Sequence, residues 1–279
     1  MPELPEVETI MRALEAAVKG DVIERIEIRQ RQFRNILSPD FAADLTGRRI
    51  DSFCRIAKYM IMNLSENLSV VWHFGMSGKF RIEAKCPETL QKHDHIIIKT
   101  NRSYLIYNDP RRFGMVLPLK TDEIKKHPIF INLGSDPWDK DLTSAYLLHK
   151  FQNKRIAIKP ALLDQSIICG IGNIYASEIL YQARINPKRP CESITAKEAE
   201  RIILCTRQVL EKAIRAGGSS IHDYKHPDGH IGYFQQSHCV YNKKGLRCPQ
   251  CRCALSKTGG IQKIEQSGRS TFYCATLQQ

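Results

Sequence analysis

The chain lacks any long apolar run, and no stretch of it approaches the ~18 apolar residues that a membrane-spanning helix needs. A long basic amphipathic helix, which would bind a membrane surface, is missing as well. The first six residues, MPELPE, are acidic and rich in proline where a secretory signal peptide would be basic. These absences predict a cytoplasmic protein with no membrane partner.

Acidic residues are scarce relative to basic ones. The 29 Asp and Glu residues face 42 Lys and Arg residues, which leaves a formal net charge of +13. Such an excess predicts an acidic partner, and the polyphosphate backbone of a nucleic acid is the commonest one. No internal repeat appears at the periods of solenoid proteins. The length of 279 residues is sufficient for two domains and a substantial core.

The first part of the chain is rich in short β-type segments. Glu6 to Lys19 repeats apolar residues at helical spacing and predicts an amphipathic helix. The next hundred residues or so predict an antiparallel sandwich or barrel, because β-rich runs alternate with turn residues. These runs are Val22–Ile28, Ile50–Arg55, Tyr59–Leu64, Leu68–Phe74, His95–Thr100, Tyr104–Asn108 and Met115–Leu119.

Helical patterns replace the strands after a polar, proline-bearing connection at about Leu119 to Asp141. The longest predicted helix starts at a capping box formed by Thr195 and Glu198 and ends at Gly217. Shorter helices are predicted at Ala145–Gln152, Lys159–Gln165 and Asn173–Gln182. The order of elements is therefore a β domain, a helical domain and a small C-terminal module.

Five of the ten cysteines crowd into the C-terminal tail, and in a cytosolic chain such clustering favours a metal over disulfides. Cys248 and Cys251 have the Cys-x2-Cys spacing of one zinc knuckle, which supplies two of the four thiolates of a tetrahedral site. Cys274 starts a second pair that is incomplete, because Leu277 stands three residues after it. Cys253 is the nearest substitute, with His238 and Cys239 further back.

The N-terminus carries a candidate nucleophile. If Met1 is removed, Pro2 presents a secondary amine, and a free α-amino group with a pKa near ~8 is partly unprotonated at neutral pH. Attack of this amine on an aldehyde carbon would give an iminium ion, which favours elimination. Glu3 comes directly after Pro2, and Glu6 and Glu8 follow further along. Acids at a helix start are also common simply because the helix dipole stabilises them.

Three further motifs predict contacts with DNA. Gly170 and Gly172 precede the helix that begins at Asn173, and this helix–turn–helix pattern favours a hold on a phosphate backbone, with an ordinary helix hairpin as the alternative. Arg111-Arg112-Phe113 forms a turn whose side chains suit the gap left by an extruded base, and Met76 is a second such tip. Each of these tips is also compatible with a solvated or core position.

Lys58 and His93 carry less specific signals. Lys58 interrupts a strand-like sequence, so it is a solvated lysine, a phosphate contact or an electrostatic aid to a nucleophile. His93 and His95 flank Asp94, and because a third metal ligand is missing at a telling distance, a DNA contact or a satisfied histidine is preferred to a metal site.

Taken together, these motifs resemble those of the formamidopyrimidine-DNA glycosylases, bacterial enzymes that excise oxidised purines. The resemblance spans essentially the whole chain. Its motifs are Pro2 to Glu8, Lys58-Tyr59, His73 to Gly78, Lys92 to His95, Asp109 to Gly114, Lys159-Pro160, Gly170 to Ala176, Gly232 to Phe234 and Thr271 to Cys274.

The resemblance implies a role for each matching residue. Pro2 would form a Schiff base with C1′ of the damaged nucleotide, and Glu3, supported by Glu6, would donate the proton for glycosyl cleavage. Lys58 and Arg269 match the proton donors for β- and δ-elimination. The implied contacts with the DNA backbone are His93, Arg111, Lys154, Lys159 and Asn173. The implied wedge, the side chains that fill the gap left by the extruded base, is Met76, Arg111, Arg112 and Phe113. The implied lesion-reading loop is Gly217 to Tyr224, and the implied Zn²⁺ ligands are Cys248, Cys251, Cys274 and Cys253.

The resemblance also implies an α+β multidomain fold. We expect an N-terminal β-sandwich with an N-terminal helix over residues 1–118, a linker over 119–142, a helix-two-turn-helix domain over 143–235 and a zinc-ribbon-like β-hairpin over 236–279. The expected partner is damaged double-stranded DNA, bound by a monomer without a nucleotide cofactor and located with the bacterial nucleoid.

Two other functions stay open at this point. An endonuclease VIII-like glycosylase for oxidised pyrimidines would share Pro2 and Glu3, but the Asp109 to Phe113 tip favours the purine branch. A DNA-binding relative without activity would need neither Pro2 nor Glu3.

Overall fold

The structure, a computed structural model, describes residues 1–219, 234–251 and 254–279. The chain divides into two compact units. The first comprises Met1–Ile131 and Ile214–Gln235, and the second comprises Asn132–Ala213 and Gln236–Gln279. None of the helices in the described ranges is both long and apolar enough to cross a membrane.

The first unit contains two four-stranded antiparallel sheets and an N-terminal helix. One sheet has the strand order β1-β6-β7-β5 and the other β2-β3-β4-β8. The strands are β1 Ile23–Ile28, β2 Ile50–Ile56, β3 Tyr59–Leu64, β4 Leu68–His73, β5 Lys79–Glu83, β6 Asp94–Thr100, β7 Tyr104–Asn108 and β8 Met115–Lys120. The helices are α1 Leu4–Val18, α2 Phe41–Leu45 and α3 Pro128–Ile131, with a 3₁₀ helix at Thr121–Lys126.

One hydrophobic core joins α1 to both sheets. The buried stripe of α1 contains Val7, Ile10 and Leu14, at the spacing that places side chains on one helical face. This stripe packs in the same cluster as Trp72 of β4 and Tyr107 of β7. The N-terminus is therefore anchored to the interior of the sandwich, as the helical pattern predicts.

The second unit is helical and ends in a β-hairpin. Its helices are α4 Ser144–Phe151, α5 Ile158–Leu163, α6 Asn173–Gln182, most of α7 Ala196–Arg215, and α8 Leu255–Thr258. Short 3₁₀ helices lie at Cys191–Ser193 and Phe234–Ser237, and the second of these starts in the first unit. The hairpin pairs β9 Gln262–Gln266 with β10 Arg269–Tyr273. The predicted α+β class, the sandwich, the helices and the C-terminal hairpin are confirmed. The Thr195 and Glu198 side chains each accept the other residue's backbone N–H, so the predicted capping box is present.

Candidate functional site

The first turn of α1 places the N-terminal residues in the interior. Pro2 is buried, and Glu3 and Glu6 are only 3% and 1% exposed. One oxygen of the Glu6 carboxylate accepts the backbone N–H of Glu3 at 2.9 Å, and the other accepts the backbone N–H of Ser219 at 2.7 Å. Glu6 therefore fixes the backbone directly beside Pro2 and ties it to the segment that follows α7.

Lys58 lies in the tight turn between β2 and β3. The turn has two residues, because Ile56 pairs directly with Tyr59, and Ala57 adopts a left-handed φ of 54° within it. Lys58 is 7% exposed, so the turn directs a buried amine rather than a solvated one. The solvated alternative is thereby removed.

The terminal amine shares its surroundings with these groups. Burial lowers the pKa of the Met1 amine below its ordinary value, while the carboxylates of Glu3 and Glu6 act in the opposite direction. The positive charges of Lys58 and Arg111 lower the pKa further. An amine with a lowered pKa is a better nucleophile at neutral pH, because more of it is unprotonated.

A cavity of about 620 Å³ opens beside this terminus. Met76 and Phe113, 45% and 48% exposed, stand on two loops at its edge, and the guanidinium of Arg111 lies 4.6 Å from the ring centroid of Phe113. The lining residues are Met1, Gln32, Phe33, Arg34, His73, Gly75, Met76, Arg111, Arg112 and Phe113. The predicted wedge residues therefore share one cavity with the N-terminus.

The histidine pair is divided between two environments. The Nε2 atom of His95 lies 3.0 Å from the backbone oxygen of Asp109, and burial lowers the pKa of its imidazole. His93 is half-buried, with its ring centroid 5.9 Å from that of His95. Neither histidine belongs to a metal-binding cluster among the described residues.

In the second unit, Lys159 is 1% exposed and its ammonium has three protein acceptors. It donates to Asn173 Oδ1 at 2.6 Å, to the backbone oxygen of Ser270 at 2.9 Å and to the hydroxyl of Thr271 at 2.9 Å. The Asn173 amide also donates to the Ser270 backbone oxygen, at 3.0 Å. This network fixes strand β10 against the start of α6.

Arg269 starts β10 at the exposed tip of the hairpin. The two turn residues before it, Ser267 and Gly268, have φ angles of 51° and 69°, as a tight type I′ turn requires. Lys154 is half-buried in the loop after α4. Both cations therefore remain accessible, unlike Lys159.

Three cysteines of the second unit form a metal-type cluster. The sulfur atoms of Cys248, Cys251 and Cys274 all lie within 4.8 Å of one another, with 3.6 Å between those of Cys251 and Cys274. Tetrahedral thiolates on zinc, with bonds of about 2.3 Å, stand about 3.8 Å apart, so the spacing of these sulfur atoms suits three of the four ligand positions. Cys248 and Cys274 are free thiols, whereas Cys251 is in a disulfide and can bind a metal only after that bond is reduced.

No fourth ligand joins this cluster within the described part of the chain. Cys239 and His238 stand outside the cluster, Leu277 packs against the apolar core of the module, and Cys253 lies outside the described residues. Most of the loop from Gly217 to Tyr224, which the resemblance assigns to lesion reading, also lies outside them.

Two family models match the chain. The formamidopyrimidine-DNA glycosylase N-terminal domain covers residues 1–116, and the formamidopyrimidine-DNA glycosylase H2TH domain covers residues 133–225. Formamidopyrimidine-DNA glycosylases from Paracoccus denitrificans and Rhodospirillum rubrum are 42% and 38% identical to this chain, with 100% of each protein and of this chain covered. The chain belongs to the formamidopyrimidine-DNA glycosylase family.

Solved structures of the family have the same fold. A Lactococcus lactis Fpg mutant in complex with a Fapy-dG containing DNA superposes with a TM-score of 0.91 at 32% identity. A complex of Lactococcus lactis Fpg with DNA containing an abasic site gives 0.90 at 32% identity. Both chains and this one are covered completely.

Sequence reasoning about the family site missed Glu178. Its carboxylate, 2% exposed on α6, accepts the backbone N–H groups of Cys239, Val240 and Tyr241 at 2.8 to 3.0 Å. The sequence does carry a signal for this role, because Glu178 is an acid in a helix that is otherwise mostly apolar. A buried carboxylate needs hydrogen-bond donors such as these backbone N–H groups. Glu178 therefore attaches the start of the cysteine module to α6.

Proposed function

We propose that this chain excises oxidised purines such as 8-oxoguanine and formamidopyrimidines from damaged duplex DNA and then cleaves the strand, as part of base excision repair. The observation that supports this most strongly is the burial of Pro2 with Glu3, Glu6 and Lys58 beside a cavity edged by wedge-type side chains. A protein that only binds DNA has no use for a second residue, Pro2, that is buried among carboxylates next to the N-terminus.

The chemistry begins once Met1 is removed. The Pro2 nitrogen attacks C1′ of the extruded nucleotide as the glycosidic bond breaks, and Glu3 donates the proton for this glycosyl cleavage. The C1′–O4′ bond of this adduct then opens, O4′ takes up a proton, and an iminium forms at C1′. The iminium withdraws electrons from the sugar, so loss of a proton from C2′ expels the 3′ phosphate. Lys58 serves this β-elimination, and Arg269 serves the δ-elimination that expels the 5′ phosphate.

Binding and positioning fall to a second set of residues. His93, Arg111, Lys154 and Asn173 contact the DNA backbone, and Lys159 contributes by holding Asn173 in place. Met76, Arg111, Arg112 and Phe113 fill the space that the extruded base leaves. The loop from Gly217 to Tyr224 reads the lesion.

We assign the residues to four parts: the catalytic sandwich over 1–118, a linker over 119–142, the helix-two-turn-helix domain over 143–235 and the zinc module over 236–279. The enzyme acts as a monomer. Its substrate places it with the bacterial chromosome in the cytoplasm.

Borohydride trapping tests the proposed function. Wild-type protein incubated with duplex DNA bearing 8-oxoguanine opposite cytosine should give a covalent adduct, because borohydride reduces the iminium to a stable amine. Pro2→Gly should trap at a strongly reduced rate, and Glu3→Gln should be defective with the intact lesion. Absence of an adduct from the wild type contradicts the assignment.

Zn²⁺ is the metal that suits the thiolate cluster, where it would hold the hairpin that carries Arg269. Cys248, Cys251 and Cys274 supply three ligands, and Cys253 is our choice for the fourth. Metal analysis of the purified protein and of Cys253→Ser tests this choice. Stoichiometric zinc in both proteins would remove Cys253 from the ligand set.

Oxidised pyrimidines are a second candidate substrate class. One solved relative, Lactococcus lactis Fpg, has been crystallised with oxidised-pyrimidine DNA. Competition between 8-oxoguanine and an oxidised pyrimidine in matched duplexes separates the two classes, and faster excision of the pyrimidine would reverse our preference.

A further inference from the structure

Two loops of the first unit touch backbone to backbone. The loop over residues 74–78 joins β4 to β5 and carries Met76, and the loop over residues 109–114 joins β7 to β8 and carries Phe113. A Cβ atom added to Gly75 would lie 2.4 Å from the backbone carbonyl of Phe113. The contact leaves no room for a side chain, so neither loop can shift toward the other.

Asp109 lies at the junction of these loops and is completely buried. Its Oδ1 accepts the Ser77 hydroxyl at 2.6 Å, while its Oδ2 accepts the Gly114 backbone N–H at 2.8 Å and the Tyr107 hydroxyl at 3.5 Å. The Ser77 hydroxyl in turn accepts the backbone N–H of Arg111 at 3.2 Å. One carboxylate thus connects the first loop to both ends of the second.

The surroundings of this carboxylate are tightly packed. A Cβ on Gly114 would lie 2.0 Å from the Tyr107 hydroxyl and 2.9 Å from Asp109 Oδ2. The backbone oxygen of Asp109 also accepts the N–H of Arg112 at 3.1 Å. An asparagine is uncharged and has only one acceptor oxygen, so the bonds from the Ser77 hydroxyl and the Gly114 N–H cannot both be kept as they are: one is lost or reversed in direction.

We propose that Asp109 is a positioning residue that makes the two loops one rigid wedge, so that Met76 and Phe113 enter the base stack together. The inference rests on the proposed excision function, since insertion has meaning only when a base is extruded. Extrusion of a paired base carries an unstacking cost that the wedge offsets, whereas an abasic site has no base to displace. Asp109 should therefore govern insertion beside a paired base and leave the attack by the amine unaffected.

The test compares two substrates under single-turnover conditions with enzyme in excess. Asp109→Asn should slow excision from an 8-oxoguanine·cytosine duplex by about tenfold to a hundredfold, the range expected for a buried hydrogen bond to a charged group. Ser77→Ala, which removes the hydroxyl that donates to this carboxylate and accepts the Arg111 N–H, should slow it within the same range. Borohydride trapping on a duplex with a preformed abasic site should keep the wild-type rate in both variants.

Asp51→Asn is the matched control, because it changes the same functional group at an exposed position on β2 and should behave as wild type on both substrates. The inference is overturned if either variant is slowed by the same factor on the paired duplex and on the abasic-site duplex. It is also overturned if neither variant is slowed on the paired duplex. Fluorescence of 2-aminopurine beside the lesion reports insertion without chemistry, so it stays informative if the trapping reaction itself fails in the wild type. If both variants give a fluorescence change as large as that of the wild type, the inference is also overturned.

Discussion

At the scale of single residues, the site depends on carboxylates that are buried yet fully bonded. Glu6 accepts the backbone N–H of Glu3, its near neighbour, and that of Ser219, which lies 213 positions further along the chain than Glu6 itself. These two bonds fix the terminus on which the chemistry depends. Sequence predicts Glu6 as a supporting residue through the family motif. The bond to Ser219 is invisible to it, because only the folded chain brings these segments together.

Glu6→Gln should slow borohydride trapping by about tenfold to a hundredfold, because an amide can accept only one of the two N–H groups and one charge-assisted bond is lost. Single-turnover trapping on abasic-site DNA measures the effect. Glu15→Gln, which alters an acid on the same helix that pairs with Lys19 at the surface, should match the wild type. A wild-type rate for Glu6→Gln contradicts the role assigned to its carboxylate.

His73 should make the first unit less stable in acid. Burial lowers the pKa of its imidazole from 6.5 to about 4, and the charges of Arg34 and Lys58 add to this effect. Between these two pH values the unfolded chain binds more protons than the folded one, so the contribution is complete above pH 6.5 and is lost as the pH falls toward 4. The total is about 3 kcal/mol.

Urea unfolding at a series of pH values, followed by Trp72 emission in a Trp138→Phe background, measures this dependence. His73→Asn should flatten it, because asparagine does not titrate while its side-chain oxygen can accept the Gly75 N–H that His73 Nδ1 now accepts. An unchanged slope in this variant would assign the acid sensitivity to other groups.

At the scale of elements, the strands with the strongest apolar signal were predicted closely. Tyr59–Leu64 and Tyr104–Asn108 have the predicted bounds. Strand β5 was missed, because it lies at a sheet edge and buries only Phe80 between charged residues, which leaves little apolar signal. Helix α2 was missed because five residues are too few for helical periodicity to show.

The contact between α6 and the hairpin yields a prediction about stability. Lys159→Met should lower the unfolding free energy of the second unit by about 2–3 kcal/mol, because three acceptors lose a buried ammonium. Urea unfolding followed by Trp138 in a Trp72→Phe background gives the value. Lys154→Met, at a half-buried position in the loop after α4, should change it by less than about 0.5 kcal/mol. Equal effects of the two substitutions would contradict the network's role.

At the scale of the whole molecule, we expect the net charge of +13 to supply most of the affinity for DNA. Charge is a property of composition, so this aspect was fully predictable. The hydrogen bond between Ser77 and Asp109 could not be predicted from the sequence, because it depends on which strands pair and in which register.

Binding to undamaged duplex should therefore weaken steeply with salt. Fluorescence anisotropy between about 50 and 200 mM salt should give a straight line of log Kd against log salt. Lys154→Ala and Arg111→Ala should each reduce the slope by about one, since we propose that each side chain contacts one phosphate. Lys120→Ala, which removes an exposed lysine assigned no contact, is the control for net charge alone. Slopes that are equal in all proteins would contradict the assigned contacts.

The backbone contact between Gly75 and Phe113 limits which substitutions the two loops tolerate, both in engineering and in natural evolution. A change in either wedge loop is accommodated only if the other loop keeps its shape, so substitutions in the two segments should show strong epistasis. Loops exchanged singly with a homologue should yield misfitting chimaeras, whereas both transplanted together, with Asp109 and Ser77, should retain activity. For directed evolution of lesion preference, the two loops are one cassette.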